Sequence, residues 1–235
     1  MKRTVIGLIC VAFFAGCGGS LSNVRQEKTA RQLADAGMAE FKKENYKKAA
    51  TAFENLRNWY PFSEFAELAE LKIADAYFME EAYLEAIAEY ESFRELHPRN
   101  RAIPHVLYRI GLSYYNQVRT IDRDQDSTRR AIEVFQMLNR QFPRHRYRNV
   151  NQYIRKCRSD LAENIFYVGL QYFKTKHYQA AIKRFQQILD QYADSKGTLG
   201  KARHYLNLSK NIAMEIQGEA EKKKKEKITD GPIHM

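Results

Sequence analysis

The sequence predicts an all-α chain of about five stacked helix-turn-helix units, and three observations predict it. A tyrosine–alanine–aromatic pattern recurs at Tyr46-x-x-Ala49-x-x-x-Phe53, Tyr83-x-x-Ala86-x-x-x-Tyr90 and Tyr178-x-x-Ala181-x-x-x-Phe185, with Ala131-x-x-x-Phe135 as a partial further copy. Pro61, Pro98 and Pro143 each stand eight residues beyond the aromatic of their copy, and Ala193 takes that place in the last. Upstream of each copy comes a small residue and then an aromatic: Ala74 and Tyr77, Gly111 and Tyr114, Gly169 and Tyr172. In the first unit Gly37 is present, but the aromatic slips to Phe41.

Each element follows from these positions. A small residue on the first helix of a unit lets the second approach closely, and Ala49, Ala86 and Ala181 do the same in return. The aromatics fill the space that remains. Proline ends the second helix, because it lacks an N–H and clashes with the preceding turn. Val118 to Thr128 is a charged insertion between the helices of unit three. Val150, Ile154, Cys157, Leu161, Ile165, Val168 and Tyr172 share one stripe at spacings of three and four, which predicts a helix of some seven turns. Cys157 on that stripe reads as a small buried apolar residue. A fifth unit begins near Gly200, where Ala202, Tyr205, Leu206, Leu208, Ile212 and Ile216 recur at roughly helical spacing without a second helix. This last element is a cap, or a surface left for a partner. Paired helices of this pattern resemble the tetratricopeptide repeat, and the fold implied is a right-handed tetratricopeptide-repeat superhelix.

The N-terminus addresses a different question. Lys2 and Arg3 precede an apolar run from Val5 to Phe14, then Ala15-Gly16-Cys17. A charged start, a short apolar stretch and small residues make a secretory signal, and the run is too short for a bilayer span of about 20 residues. Cysteine directly after the small residues makes Cys17 the candidate lipidation site, carrying acyl chains as the first residue of the mature chain; an ordinary signal with a chance cysteine is the other reading. Gly18, rather than aspartate, at the next position favours the outer membrane. The divisions expected are a signal at 1–16, a tether at 17–28, the repeat domain at 29–217 and a polar, disordered tail at 218–235.

Composition narrows the chemistry. With Cys10 lost in the signal and Cys17 acylated, Cys157 stands alone, so neither an intrachain disulfide nor a cysteine metal site is expected. The formal charge is +11, falling to +9 without Lys2 and Arg3. Part of the excess is the run Lys222 to Lys227, which could meet acidic lipid or an acidic protein face, or be a solvated tail; nucleic acid is not expected in an exported chain. Asp122-Arg123-Asp124-Gln125-Asp126 counts as a calcium loop with Glu133 at its twelfth position. Ser127 where the turn wants glycine, and Arg129 and Arg130 nearby, argue instead for a solvated loop whose Asp126 or Ser127 caps the next helix. His97, His105, His145, His177, His204 and His234 include no i, i+4 pair, and phosphate loops and nucleophile elbows are missing. No catalytic residue, metal site or cofactor is expected. The expectation is a binding surface.

The ordered set of motifs is similar to the BamD family of outer-membrane β-barrel assembly lipoproteins, from Cys17 to about Ile216. Its specific pieces are Asn58-Trp59-Tyr60-Pro61-Phe62-Ser63, Tyr108-Arg109-x-Gly111-Leu112, Asp122-Arg123-Asp124, Phe142-Pro143-x-x-x-Tyr147 and Tyr178-x-x-Ala181-x-x-Arg184-Phe185. Ser63, Ala193 and the lysine-rich tail depart from the family pattern. The resemblance implies a scaffold with two working ends. At the first, aromatics such as Phe41, Tyr60, Phe62 and Tyr77 would line a groove for C-terminal segments of unfolded outer-membrane β-barrel proteins, unless Tyr60 and Phe62 simply seal a helix end. At the second, Arg184, with Tyr178 beside it, would meet an acidic residue on the last POTRA domain of the barrel subunit BamA, the guanidinium fork suiting a carboxylate; an ordinary solvated arginine is the alternative. Other Bam lipoproteins, and outer-membrane lipid through acylated Cys17, complete the implied partners. The rival functions are another tetratricopeptide lipoprotein adaptor (a pilotin or a cell-wall-associated protein) and a calcium-dependent or hydrolytic enzyme at Asp122 to Glu133.

Overall fold

Thr29 opens the first helix with a reciprocal cap: its side-chain oxygen accepts from the Gln32 N–H at 3.3 Å, and the Gln32 side chain accepts from the Thr29 N–H at 2.9 Å. In the computed structural model residues 28–117, 124–144, 147 and 149–229 are described, with side chains as far as 225. Among them are the helices α1 (Ala30–Lys42), α2 (Tyr46–Trp59), α3 (Ala66–Met79), α4 (Tyr83–Leu96), α5 (Ile103–Asn116), α6 (Asp126–Gln141), α7 (Val150–Lys174), α8 (Tyr178–Gln191) and α9 (Lys196–Thr229), and no strand. Each helix packs chiefly on its neighbours in sequence. α1/α2, α3/α4, α5/α6 and α7/α8 are therefore four stacked pairs, and the fifth unit is α9 alone.

The small-residue rule is visible as contact. A methyl group added to Gly37 would lie 2.7 Å from the Phe53 ring, and one added to Gly169 would lie 2.7 Å from Phe185. At Gly111 the added carbon would collide with the Phe135 ring. Phe53, Tyr90, Phe135 and Phe185 are all fully buried. The upstream aromatics do less than expected: Tyr77 and Tyr114 are half-buried, and Tyr172 is exposed.

The turns inside the pairs share a second device. Glu44, Glu81 and Lys176 adopt left-handed φ values of 62°, 59° and 63°. In each case the next N–H reaches back five residues, Asn45 to the Glu40 carbonyl, Ala82 to Tyr77 and His177 to Tyr172, closing the helix end. Edge-on ring pairs brace the same turns: Phe41 with Tyr46, Phe78 with Tyr83 and Phe173 with Tyr178, at 5.1, 5.7 and 5.6 Å.

The turns between pairs show why Ala193 suffices where the other copies have proline. Tyr60, His97 and Phe142, each before a proline, are bent out of the helical region, as the pyrrolidine ring demands of its predecessor. Tyr192, before Ala193, takes nearly the same backbone angles. A clamp holds it: the Arg158 guanidinium donates two 2.7 Å bonds to the Asp194 carboxylate and one to the Gln191 carbonyl, and lies over the Tyr192 ring.

Unit two differs from the others in burying a tyrosine where they bury phenylalanine. A buried hydroxyl needs a partner. Tyr90 donates to Asp75 at 2.7 Å, the residue beside Ala74. Lys72 donates to the same carboxylate at 2.7 Å, and His105 on α5 reaches it at 3.2 Å. Burial alone would raise the Asp75 carboxyl; the His105, Lys72 and Tyr90 bonds outweigh it and hold the group well below the ordinary carboxylate range. This network pins α3, α4 and α5 together.

Two expectations are corrected. Neither Asp126 nor Ser127 caps α6; Asp124 does the nearest equivalent, accepting from the Asp126 N–H at 3.2 Å. The tail expected to be disordered from 218 is helical to Thr229, because α9 passes Gly218 without interruption.

Gly111→Ala should lower stability by about 1–3 kcal/mol in denaturant titrations, since the buried ring has nowhere to go. Gly200→Ala, with open space around it, should cost nothing. Asp75→Asn should lose about 2–3 kcal/mol near neutral pH, the worth of hydrogen bonds to a buried charge. A depressed carboxyl stabilises fully above its unfolded value of about 4 and loses that contribution as pH falls through the folded value. The gap between wild type and Asp75→Asn should therefore close as the pH drops below about 4.

Candidate functional site

The first candidate surface is the outer face of the first pair. Ala49, Phe53 and Leu56 form the buried stripe of α2, so Thr51, Ala52, Asn55 and Trp59 fall outside it. With Leu33, Ala36 and Ala39 of α1 they line an open groove of about 650 Å³, with Lys28, Lys48 and Glu40 at its edges. Trp59, the single tryptophan of the chain, is 54% exposed there.

The four aromatics proposed for this end do not line that groove. Phe41, Tyr60 and Tyr77 pack together against the Phe53–Ile73 core. Tyr60 donates to the Lys28 carbonyl at 3.0 Å, tying the chain entry to the end of the first pair. Tyr77 donates to the Glu54 carboxylate at 2.8 Å, which raises its phenol. Phe41 carries the Lys72 ammonium over its ring at 5.0 Å. Phe62 stands apart, fully exposed in the turn before α3. Trp59 belongs to the Asn58 to Ser63 motif, and its position off the buried stripe of α2 is the signal that marks it as a surface residue.

The second candidate surface is formed by α8 with α9. Ala181, Phe185 and Ile188 face inward, as expected, and Arg184 is exposed beside them, its guanidinium donating to Gln187 at 3.3 Å on the same helix. Tyr178 serves the turn brace that Tyr46 and Tyr83 serve in earlier units. It also lines an apolar groove of about 500 Å³ with Ala180, Ala213, Ile216 and Ala220. Ile216 and Met214 are more than half exposed at this end.

In the middle units the described motif residues make packing contacts. Tyr108 stacks on Tyr147 at 4.3 Å, and the Arg109 guanidinium lies 4.4 Å over Phe78, so the motifs that bracket unit three hold its two ends together. Asp122 and Arg123 lie outside the described residues, as does Cys17. Asp124 faces Arg129, and both Asp126 and Glu133 face Arg130. Among the described residues no group of three histidine, cysteine or acidic side chains could hold a metal ion. Cys157 is buried in α7, and burial pushes its thiol up to about 12, leaving it protonated and unreactive. No helix among the described residues is long and apolar enough to cross a membrane.

Relatives align with most of this chain. A protein of Rickettsia prowazekii described as "Outer membrane protein assembly factor BamD" is 30% identical over 189 residues, covering 80% of this chain and 74% of that one. The protein of the same description from Caulobacter vibrioides is 25% identical over 199 residues, covering 83% of this chain. The aligned region spans 65% of that relative's length. A solved tetratricopeptide repeat protein from Parabacteroides merdae overlays 81% of this chain and 66% of its own at 16% identity, with a TM-score of 0.41. The family model described as "YfiO: Outer membrane lipoprotein" matches residues 26–228, from just before the Thr29 cap almost to the end of α9. With nearly all of its repeat stack matched, the chain belongs to the YfiO outer membrane lipoprotein family.

Proposed function

We propose that this chain is a scaffold of the outer-membrane β-barrel assembly machine, anchored through acylated Cys17 at the periplasmic face. It would hold unfolded barrel proteins at one end and the POTRA region of BamA, with other Bam lipoproteins, at the other. The observation that carries the reading is the family match across 26–228, which takes in both exposed ends of the stack. The work proposed is positioning, without catalysis. An extended chain ending in an aromatic residue suits the α1/α2 groove, where Trp59, Ala36 and Ala52 offer apolar contact and Lys28 and Lys48 offer positive charge to a terminal carboxylate. Phe62, fully exposed one turn away, is free to add a ring. At the other end, the in-helix bond of Arg184 to a neutral glutamine leaves its charge available to an acidic partner.

Crosslinked pull-down from native membranes, with partners identified by mass spectrometry, tests the whole reading; recovery of a secretin or a cell-wall enzyme in place of a POTRA-bearing barrel would sink it. Arg184→Glu should weaken BamA co-purification at unchanged helical content, and an unaltered pull-down would remove Arg184 from the interface. Because Trp59 is the single tryptophan, its emission reports the first groove directly. A peptide ending in a phenylalanine carboxylate should shift that emission saturably, and the peptide amide should bind more weakly; no shift with either peptide would move the substrate site elsewhere.

A further inference from the structure

The C-terminal part of α9 has a construction unlike the rest of the stack. Its buried seam is Thr198, Ala202, Leu206 and Ser209, and from Met214 to Lys225 every side chain is exposed. Past Ala220, the last residue of α9 to line the groove beside Tyr178, the helix runs on for about 14 Å, at 1.5 Å per residue, to Thr229. Lys222, Lys223, Lys224 and Lys225 occupy this projecting part. Successive residues turn by about 100° around a helix, so four in a row place ammonium groups on every side of it, with Glu219 and Glu221 before them and Glu226 after.

Nothing in the body of the protein answers this charge at Lys222, Lys223 or Lys224, which make no ion pair among the described residues. The helix dipole does not account for the run either, since it acts within the last turn and Lys222 lies nearly two turns before Thr229. Adjacent lysines on an unpacked helix repel one another, and a negative surface relieves that repulsion.

We propose that the projecting end of α9 is a docking element for an anionic phospholipid surface, engaged through the Lys222 to Lys225 collar. The side chains choose lipid over protein. Protein interfaces deplete lysine at their centres and rely on aromatic and arginine anchors. Between Gln217 and Lys227 there is no arginine, aromatic or large apolar residue. Flexible ammonium groups pointing in all directions suit the diffuse charge of a headgroup layer, which polybasic segments recognise. The inference stands apart from the assembly reading, and its failure would leave that reading untouched.

Lysine acetylation of the full chain, followed residue by residue by mass spectrometry, tests it. Phosphatidylcholine vesicles doped with phosphatidylglycerol should slow modification of Lys222 to Lys225 roughly fivefold, while Lys183 and Lys201 keep their rates. Protection should vanish in 1 M salt, where the screening length falls to about 3 Å, and pure phosphatidylcholine should give none. Equal rates in both vesicle types would overturn the proposal. So would protection seen only in native membranes that keep their proteins, since that result would assign the collar to an acidic protein. In a Cys17→Ser chain, which has no acyl anchor, changing all four lysines to glutamine should release more protein from the anionic vesicles on sedimentation; equal retention would also count against the collar.

Discussion

Close approach of two helices over a residue with little or no side chain is the constraint on which this structure depends. Gly37, Gly111 and Gly169 lie so near the rings of Phe53, Phe135 and Phe185 that a single methyl group does not fit. Each contact sets the distance between the two helices of a pair, and the ring it admits is fully buried. The next pair then stacks on the surface so made, and the cores of successive units run together through shared residues such as Tyr77. Overpacking at one such point would be felt by the pair and by its neighbours.

Unit two solves the same problem with different atoms and acquires a property the others lack. Ala74 replaces glycine and Tyr90 replaces phenylalanine, so a hydroxyl enters the core. Asp75 meets it, and the carboxylate in turn draws Lys72 and His105 to itself. A polar requirement created by one ring is thus satisfied across three helices. It places a buried carboxylate at the junction of units two and three and makes that junction sensitive to acid.

The two ends differ from the middle because a stack of repeats always leaves its terminal faces without a neighbour. At the α1 end this leaves a groove containing Trp59, and at the α9 end an apolar groove and a projecting basic helix. Binding capacity at these places comes from the architecture as much as from particular residues. Interior positions that belong to the family motifs, such as Tyr108, Arg109 and Tyr147, are occupied with packing.

The sequence alone determined the helix pairs, their small-against-aromatic contacts, the ends of α2, α4 and α6 before proline, and the length of α7. These are local or periodic properties, and a chain repeating them four times leaves little freedom. Tertiary structure alone decided the rest. That Phe41, Tyr60 and Tyr77 turn into a core while Trp59 faces a groove depends on which side of the first pair is left open. The partnership of Asp75 with His105 joins residues thirty positions apart, and no spacing rule announces it. The persistence of α9 past Gly218 was hidden as well, because a polar, lysine-rich stretch reads as loop by composition while its backbone continues the helix already begun beneath it.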